Sequence, residues 1–137
     1  MFEVFAQIGY LSFALIISKR DISHRIISNR NLARFAIFSI IFNMKFLGLI
    51  FLIDVSLAAL SLIIMHIIFK ERVGPGDLKL FWVMTIWAPV FSDWLVLFAW
   101  AWIFGGIFSI ASSLYSRRIS ASIPFAPFIF LAFLASI

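Results

Sequence analysis

Two aspartates lie in polar stretches that interrupt an otherwise apolar chain. Asp21 opens the stretch DISHRIISNRN directly after a first apolar run, and Asp77 lies 56 residues later in the stretch KERVGPGDLKL. Two carboxylates at one place are the minimum groups of an aspartyl protease. One ionised Asp takes a proton from water, while the other, protonated, donates to the scissile carbonyl. Close approach enforces this division, because both groups cannot easily ionise together.

Each acid also has a simpler interpretation. G-x-G-D before an apolar run is equally the pattern of a loop followed by a helix N-cap, and Asp21 alone reads as a solvated loop acid. In the functional interpretation, Gly74 and Gly76 permit unusual backbone conformations or close approach by another chain segment. Asp77 then lies at a helix N-terminus, where free amides and the helix dipole favour a carboxylate. Lys79 would further stabilise negative charge there.

The composition indicates the environment in which these acids work. The chain has 137 residues, of which 64% are hydrophobic, and a mean hydropathy of +1.14. Apolar runs recur along its whole length, which predicts an all-α, polytopic membrane helix bundle in a lipid bilayer, with residues 1–137 as one domain. The net charge of +5 does not indicate nucleic acid, because Lys and Arg cluster in the gaps between apolar runs. The absence of cysteine excludes a disulfide framework and a Cys-based zinc site.

About six membrane spans are predicted, with five as the alternative because the break between the second and third is poorly marked. Asp54 is the candidate cap of the third span. The predicted spans are 3–18, 32–50, 54–69, 78–92, 94–115 and 123–137. With the N-terminus outside, ten of the eleven Lys and Arg residues fall on the cytoplasmic side and only Lys45 falls outside. The positive-inside rule therefore favours six spans, an external N-terminus and a cytoplasmic position for both Asp21 and Asp77.

Three motifs in this order resemble the type IV prepilin peptidases, membrane aspartyl proteases of the GxGD type. In the family, six residues separate an Asp from a Pro-Asn pair, and here six residues separate Asp21 from Ser28-Asn29. A G-x-G-D-x-K-L stretch opens a later helix, as in Gly74 to Leu80. A Pro-Phe-x-Pro-Phe stretch opens the last helix, as within Ile123 to Ala132. Ser28 departs from the family's proline, which affects the rigidity of the loop but leaves the acid in place.

The resemblance implies Asp21 and Asp77 as the catalytic pair, with Gly74, Gly76, Lys79 and Asn29 as supporting residues. No spacing of His, Asp and Glu resembles a metal site, and a water-activating pair of acids needs no metal, so no cofactor is expected. The substrate would be a prepilin-like membrane protein whose short basic leader is removed at the cytoplasmic face of a bacterial inner membrane. The chain lacks the four-cysteine insertion of longer members, so it resembles the short form serving Tad/Flp-type pili, and no methyltransferase activity is expected. Neither the cognate pilin nor the oligomeric state follows from the sequence.

Two other classes of function are compatible with so apolar a chain. A small transport or proton-relay protein would carry its acids within the spans, whereas Asp21 and Asp77 are predicted at span ends. A non-enzymatic pilus assembly subunit makes no demand for two acids on one membrane face. The placement of the acids favours the peptidase.

Overall fold

Six α-helices make up the described part of the chain, which is residues 2–43, 48–69, 73–116 and 123–136 of this computed structural model. The helices are α1 (Phe2–His24), α2 (Asn29–Asn43), α3 (Leu49–Phe69), α4 (Pro75–Met84), α5 (Phe91–Ser116) and α6 (Ala126–Ser136). No strand occurs in these residues. For these residues the all-α prediction is confirmed, and the six helices correspond in number to the roughly six predicted spans.

The second and third helices are separated earlier than the sequence suggested. α2 ends at Asn43 and α3 already begins at Leu49, so Asp54 lies inside α3. The prediction that Asp54 caps the third helix is therefore wrong. The apolar residues preceding Asp54 continue the helix in the N-terminal direction instead of forming a loop.

The predicted fourth span, 78–92, is divided between a helix and a turn. α4 ends at Met84, and the Thr85 hydroxyl donates to the carbonyl oxygen of Trp82 at 2.7 Å as the chain turns. Pro89 follows, and proline supplies no amide hydrogen to continue a helix. The chain becomes helical again only at Phe91.

Two of the described helices are long and apolar enough to cross a membrane, over Leu49–Ile68 in α3 and Phe91–Tyr115 in α5. α4 has 10 residues and α6 has 11, so each is only about 15 Å long at 1.5 Å per residue. That is shorter than a hydrocarbon core of about 30 Å. Six complete crossings with the N-terminus outside therefore stay a prediction.

The packing order places α4 between three other helices. α4 contacts α2, α3 and α6, while α1 packs against α2 and α6, and α5 packs most extensively against α6. Tyr10 of α1 is 2% exposed, and its hydroxyl donates to the carbonyl oxygen of Phe130 in α6 at 3.1 Å. The rings of Phe35 and Trp87 close around Tyr10. This cluster holds α1, α2 and α6 beside α4, and so brings the helices that carry the two acids to a common centre.

Candidate active site

Asp21 lies in the last turn of α1 and is buried, with 5% of its surface exposed. Its Oδ2 accepts a hydrogen bond of 2.9 Å from the backbone N–H of Ala126, the first residue of α6. The N–H of Phe125 also donates to this carboxylate. The first amides of a helix have no partner within the helix, so they are free to bind an acid. A buried carboxylate is therefore compensated by the N-terminus of a helix distant in sequence.

Asp77 is the third residue of α4, as the sequence predicted for a helix N-terminus. Gly74 is the N-cap with φ −65° and ψ 140°, and Pro75 occupies the first helical position, where its missing N–H costs nothing. The N–H of Asp77 donates to the Gly74 carbonyl at 3.1 Å, and the Gly74 N–H donates back to the Asp77 carboxylate. This reciprocal pair fixes Asp77, which is partly buried, at the start of the helix.

The charge of Asp21 acts on the carboxyl group of Asp77. The pKa of Asp77 is raised from its ordinary value of 3.8 to about 7. Burial is the largest cause of this rise and the charge of Asp21 adds to it, whereas the hydrogen bond from the Gly74 N–H lowers the pKa. Burial also raises the pKa of Asp21, but the Ala126 N–H, the Arg25 charge and the Phe125 N–H oppose that rise. The amide donors and the Arg25 charge thus favour ionised Asp21, whereas burial beside Asp21 favours protonated Asp77.

The two glycines are needed for close approach and not for unusual backbone angles. No glycine among the described residues has a positive φ, so the conformational part of the prediction is wrong for Gly74 and Gly76. A Cβ on Gly74 would lie 3.1 Å from Oδ2 of Asp77, and one on Gly76 would lie 3.0 Å from Cβ of Ile27. The glycines thus allow the α1–α2 loop and the Asp77 carboxylate to lie directly against the start of α4.

Lys79 was predicted to stabilise negative charge at Asp77, but its side chain binds Asn29 instead. Its Nζ donates to Oδ1 of Asn29 at 3.2 Å, joining α4 to the start of α2. Two helical positions separate Lys79 from Asp77, which turns their side chains to opposite sides of α4. The pKa of Asp77 is set by burial, Asp21 and the Gly74 amide. The predicted stabilisation of negative charge by Lys79 is therefore not what the structure shows, and its hydrogen bond with Asn29 joins the starts of α4 and α2.

The chain matches the type IV leader peptidase family over residues 8–110, about three quarters of its length. It belongs to that family. No curated protein and no solved structure gives a significant match. The matched stretch includes Asp21 and Asp77 and ends within α5.

The type IV leader peptidase family assigns the chain to the peptidases, which are hydrolases, and implies prepilin-like substrates. All six residues predicted for its site, namely Asp21, Asn29, Gly74, Gly76, Asp77 and Lys79, lie in the two segments that meet around α4. The grouping agrees with the sequence prediction, and their catalytic and supporting roles remain proposals.

Two parts of the candidate site, namely Arg25 and the start of α6, were not predicted from the sequence. Arg25 follows α1 with φ 55°, a left-handed conformation uncommon for a residue with a side chain, and its charge lowers the pKa of Asp21. Phe125 and Ala126 supply the amides that bind Asp21. The proline- and phenylalanine-rich motif had indicated the start of a last helix there. It gave no indication that this start would meet the first acid.

Gly76→Ala is expected to lower the leader peptidase activity about tenfold while the protein remains folded. The new methyl group would contact Cβ of Ile27, an atom fixed to the backbone, so the α1–α2 loop and α4 must separate by a few tenths of an ångström. The displacement would lie next to Asp77, the candidate catalytic acid, and misplacement of a reacting group is costly. Steady-state cleavage together with thermal unfolding would measure both effects. Gly48→Ala is the matched control, since a Cβ there has nothing within 4 Å; equal activity of the two variants would contradict the expectation.

Proposed function

We propose that this chain is an aspartic-type prepilin peptidase, an endopeptidase that removes the leader of a prepilin-like precursor with Asp21 and Asp77 as its catalytic pair. The observation that carries the proposal is the electrostatic effect of Asp21 on Asp77, an acid 56 residues away in sequence, in a chain of the type IV leader peptidase family. Gly74, Gly76, Lys79 and Asn29 act as the supporting residues.

The different surroundings of the two acids supply a mechanism. Ionised Asp21 takes a proton from a water molecule, whose oxygen attacks the scissile carbonyl carbon, while protonated Asp77 donates its proton to the carbonyl oxygen. The resulting gem-diol collapses as Asp21 returns its proton to the leaving nitrogen and a diol hydroxyl returns one to Asp77. The C–N bond breaks, one water molecule is consumed, and both carboxyl groups recover their starting protonation states.

The position of the acids favours cleavage at a membrane surface. Asp21 lies in the last turn of α1 and Asp77 in the first turn of α4, so both are at helix ends and outside the two segments able to cross a membrane. We place this surface at the cytoplasmic face of a bacterial inner membrane, because most Lys and Arg residues lie in gaps predicted to face the cytoplasm. Acids at helix ends do not favour the alternative of an ion pathway through the bundle.

The substrate is a membrane protein with a short basic leader followed by an apolar helix, of the kind that forms Tad/Flp-type pili. The family relationship supports prepilin-like substrates as a class. The many large apolar side chains that remain exposed, including Leu15 at 72% and Ile50 at 76%, form a surface suited to lipid and to the apolar helix of a substrate. We expect the leader to be released without methylation of the new N-terminus.

The direct test is cleavage of a purified prepilin-like precursor by the purified protein in lipid nanodiscs, in water enriched in ¹⁸O. We expect one cut between leader and apolar helix, one ¹⁸O atom in the leader's new carboxyl group, and no covalent adduct on the protein. Mass spectrometry of leader, mature protein and enzyme reads all three. An intact precursor, or a covalent intermediate on the enzyme, would be incompatible with the proposed function.

A further inference from the structure

The backbone at the start of α6 donates a hydrogen bond to Asp21, although α6 lies outside the stretch that matches the family. The Phe125 carbonyl accepts from the N–H groups of Phe128 and Ile129, which makes Phe125 the N-cap and Ala126 the first helical residue. The Ala126 N–H thus has no acceptor within α6 and points instead to Asp21 Oδ2 at 2.9 Å. The positive end of an 11-residue helix is directed at a carboxylate in the last turn of α1.

The side chain of Phe125 secures this turn against α5. A Cβ placed on Gly105 would lie 2.5 Å from Cε2 of Phe125, so the ring occupies the space that any other residue at 105 would need. Trp102, Phe81 and Phe128 surround the same ring, with centroid separations of 5.1, 6.1 and 6.3 Å. These contacts restrict the partly buried ring on several sides, so a methyl group at position 105 would displace the Phe125 and Ala126 backbone as well as the ring.

We propose that the Gly105–Phe125 contact is a positioning device for catalysis: it holds the N–H groups at the start of α6 on Asp21 and so keeps Asp21 the ionised, water-activating member of the pair. This inference depends on the proposed peptidase function and adds a positioning role for Gly105, Phe125 and Ala126. None of the three side chains is required to touch the substrate.

The other charged groups around Asp21 do not replace this contact. Asp77 of α4 is under the influence of the Asp21 charge and carries the proton in the proposed mechanism, and Arg25 acts on Asp21 from just beyond the end of α1. α6 carries no charged side chain, and α2 presents Arg30 and Arg34 in exposed positions. The N–H groups of Phe125 and Ala126 and the charge of Arg25 lower the pKa of Asp21, against the effect of burial, and so favour its ionised form.

Gly105→Ala and Gly106→Ala form a matched pair for the first test. Both add one methyl group to neighbouring positions of α5, but a Cβ on Gly106 has nothing within 4 Å. In the full-length protein with a prepilin-like precursor, we expect Gly105→Ala to lower kcat about 10- to 100-fold with KM little changed, the loss expected for one hydrogen bond to a charged group. The acidic limb of kcat/KM should move by about one pH unit to higher pH, because Asp21 loses a donor that favours its charged form. Gly106→Ala should match the wild type.

A second pair removes the hydrogen bond without touching α5. Ala126→Pro deletes the donor at the first helical position, where proline suits the backbone, and Phe125 before it is not helical. Ala126→Gly retains the donor and serves as its control. We expect the same shift of the acidic limb for Ala126→Pro only. Phe125→Leu replaces the ring by a shorter side chain. Combined with Gly105→Ala, it should restore most of the kcat that Gly105→Ala alone loses.

The outcomes separate this inference from the proposed function. Wild-type acidic limbs in both Gly105→Ala and Ala126→Pro would overturn the positioning role while leaving an enzyme that still requires Asp21. Equal losses in Gly105→Ala and Gly106→Ala, without a pH shift, would also overturn it, because they would report only disturbed packing. Leader removal by Asp21→Asn at the normal rate would instead refute the catalytic pair itself.

Discussion

Asp21→Asn and Asp77→Asn should each lower the kcat for leader removal by about 10²–10⁴-fold, the usual contribution of one general acid or base. An asparagine in place of Asp21 could not accept a proton from water, and one in place of Asp77 could not transfer a proton to the carbonyl oxygen. The double variant should be little worse than either single variant, because groups that act as one unit have strongly non-additive effects. Cleavage of a precursor measured by gel or mass spectrometry would give the three rates.

Two other acids offer controls for the loss of a negative charge. Asp54 lies inside α3 and Asp93 in the first turn of α5, and neither influences the pKa of Asp21 or Asp77. Asp54→Asn and Asp93→Asn should retain the wild-type rate. Normal cleavage by a folded Asp21→Asn or Asp77→Asn variant would show that the pair is not catalytic.

The pH dependence should be bell-shaped, with a basic limb set by Asp77. Its pKa of about 7 means that the proton needed for the carbonyl oxygen is lost as the pH rises through neutrality. Well above that pH, kcat/KM should fall about tenfold per pH unit. The acidic limb should report protonation of Asp21, the water-activating group. A profile measured from pH 4 to 9 that is flat above pH 7 would contradict this assignment of the proton.

The free energy of unfolding should also depend on Asp77, because the burial that raises its pKa makes the folded state less stable once the carboxyl group ionises. Asp77 in the unfolded chain ionises near 3.8, whereas the folded protein holds the proton up to about 7. The folded state is therefore penalised progressively as the pH rises from about 4 to 7, and the penalty is complete above that range. Asp77→Asn removes it, so this inactive variant should be more stable than the wild type by about 1–3 kcal/mol at pH 8.5, and by much less at pH 4.5.

Thermal unfolding of the two proteins at both pH values would test this exchange of stability for function. Asp93→Asn is an appropriate control because Asp93 is exposed at the start of α5. A lower stability of Asp77→Asn at pH 8.5 would mean that its carboxylate is favourable in the fold, which the proposed mechanism does not allow.

Interactions between residues close together in the sequence were sufficient to predict the helical class and the start of α4. Apolar runs can satisfy their backbone groups only as helices in a bilayer, so the helical class followed from composition and spacing. Gly74, Pro75 and Asp77 define the start of α4 through capping interactions within four residues of one another. Both acids, and the glycines beside one of them, could therefore be selected before any contact was known.

Boundaries and partners depended on packing between segments distant in sequence. α3 starts before Asp54, and α4 stops at Met84, because the neighbouring apolar residues and Pro89 outweighed single polar markers. Lys79 lies close to Asp77 in sequence, yet the turn of the helix directs it to Asn29. Asp21 receives its amide from Ala126, 105 residues away, across a contact secured by Phe125 on Gly105. Hydrogen bonds between remote segments leave no periodic pattern in a sequence, so only the tertiary structure revealed which groups favour ionised Asp21 and which favour protonated Asp77.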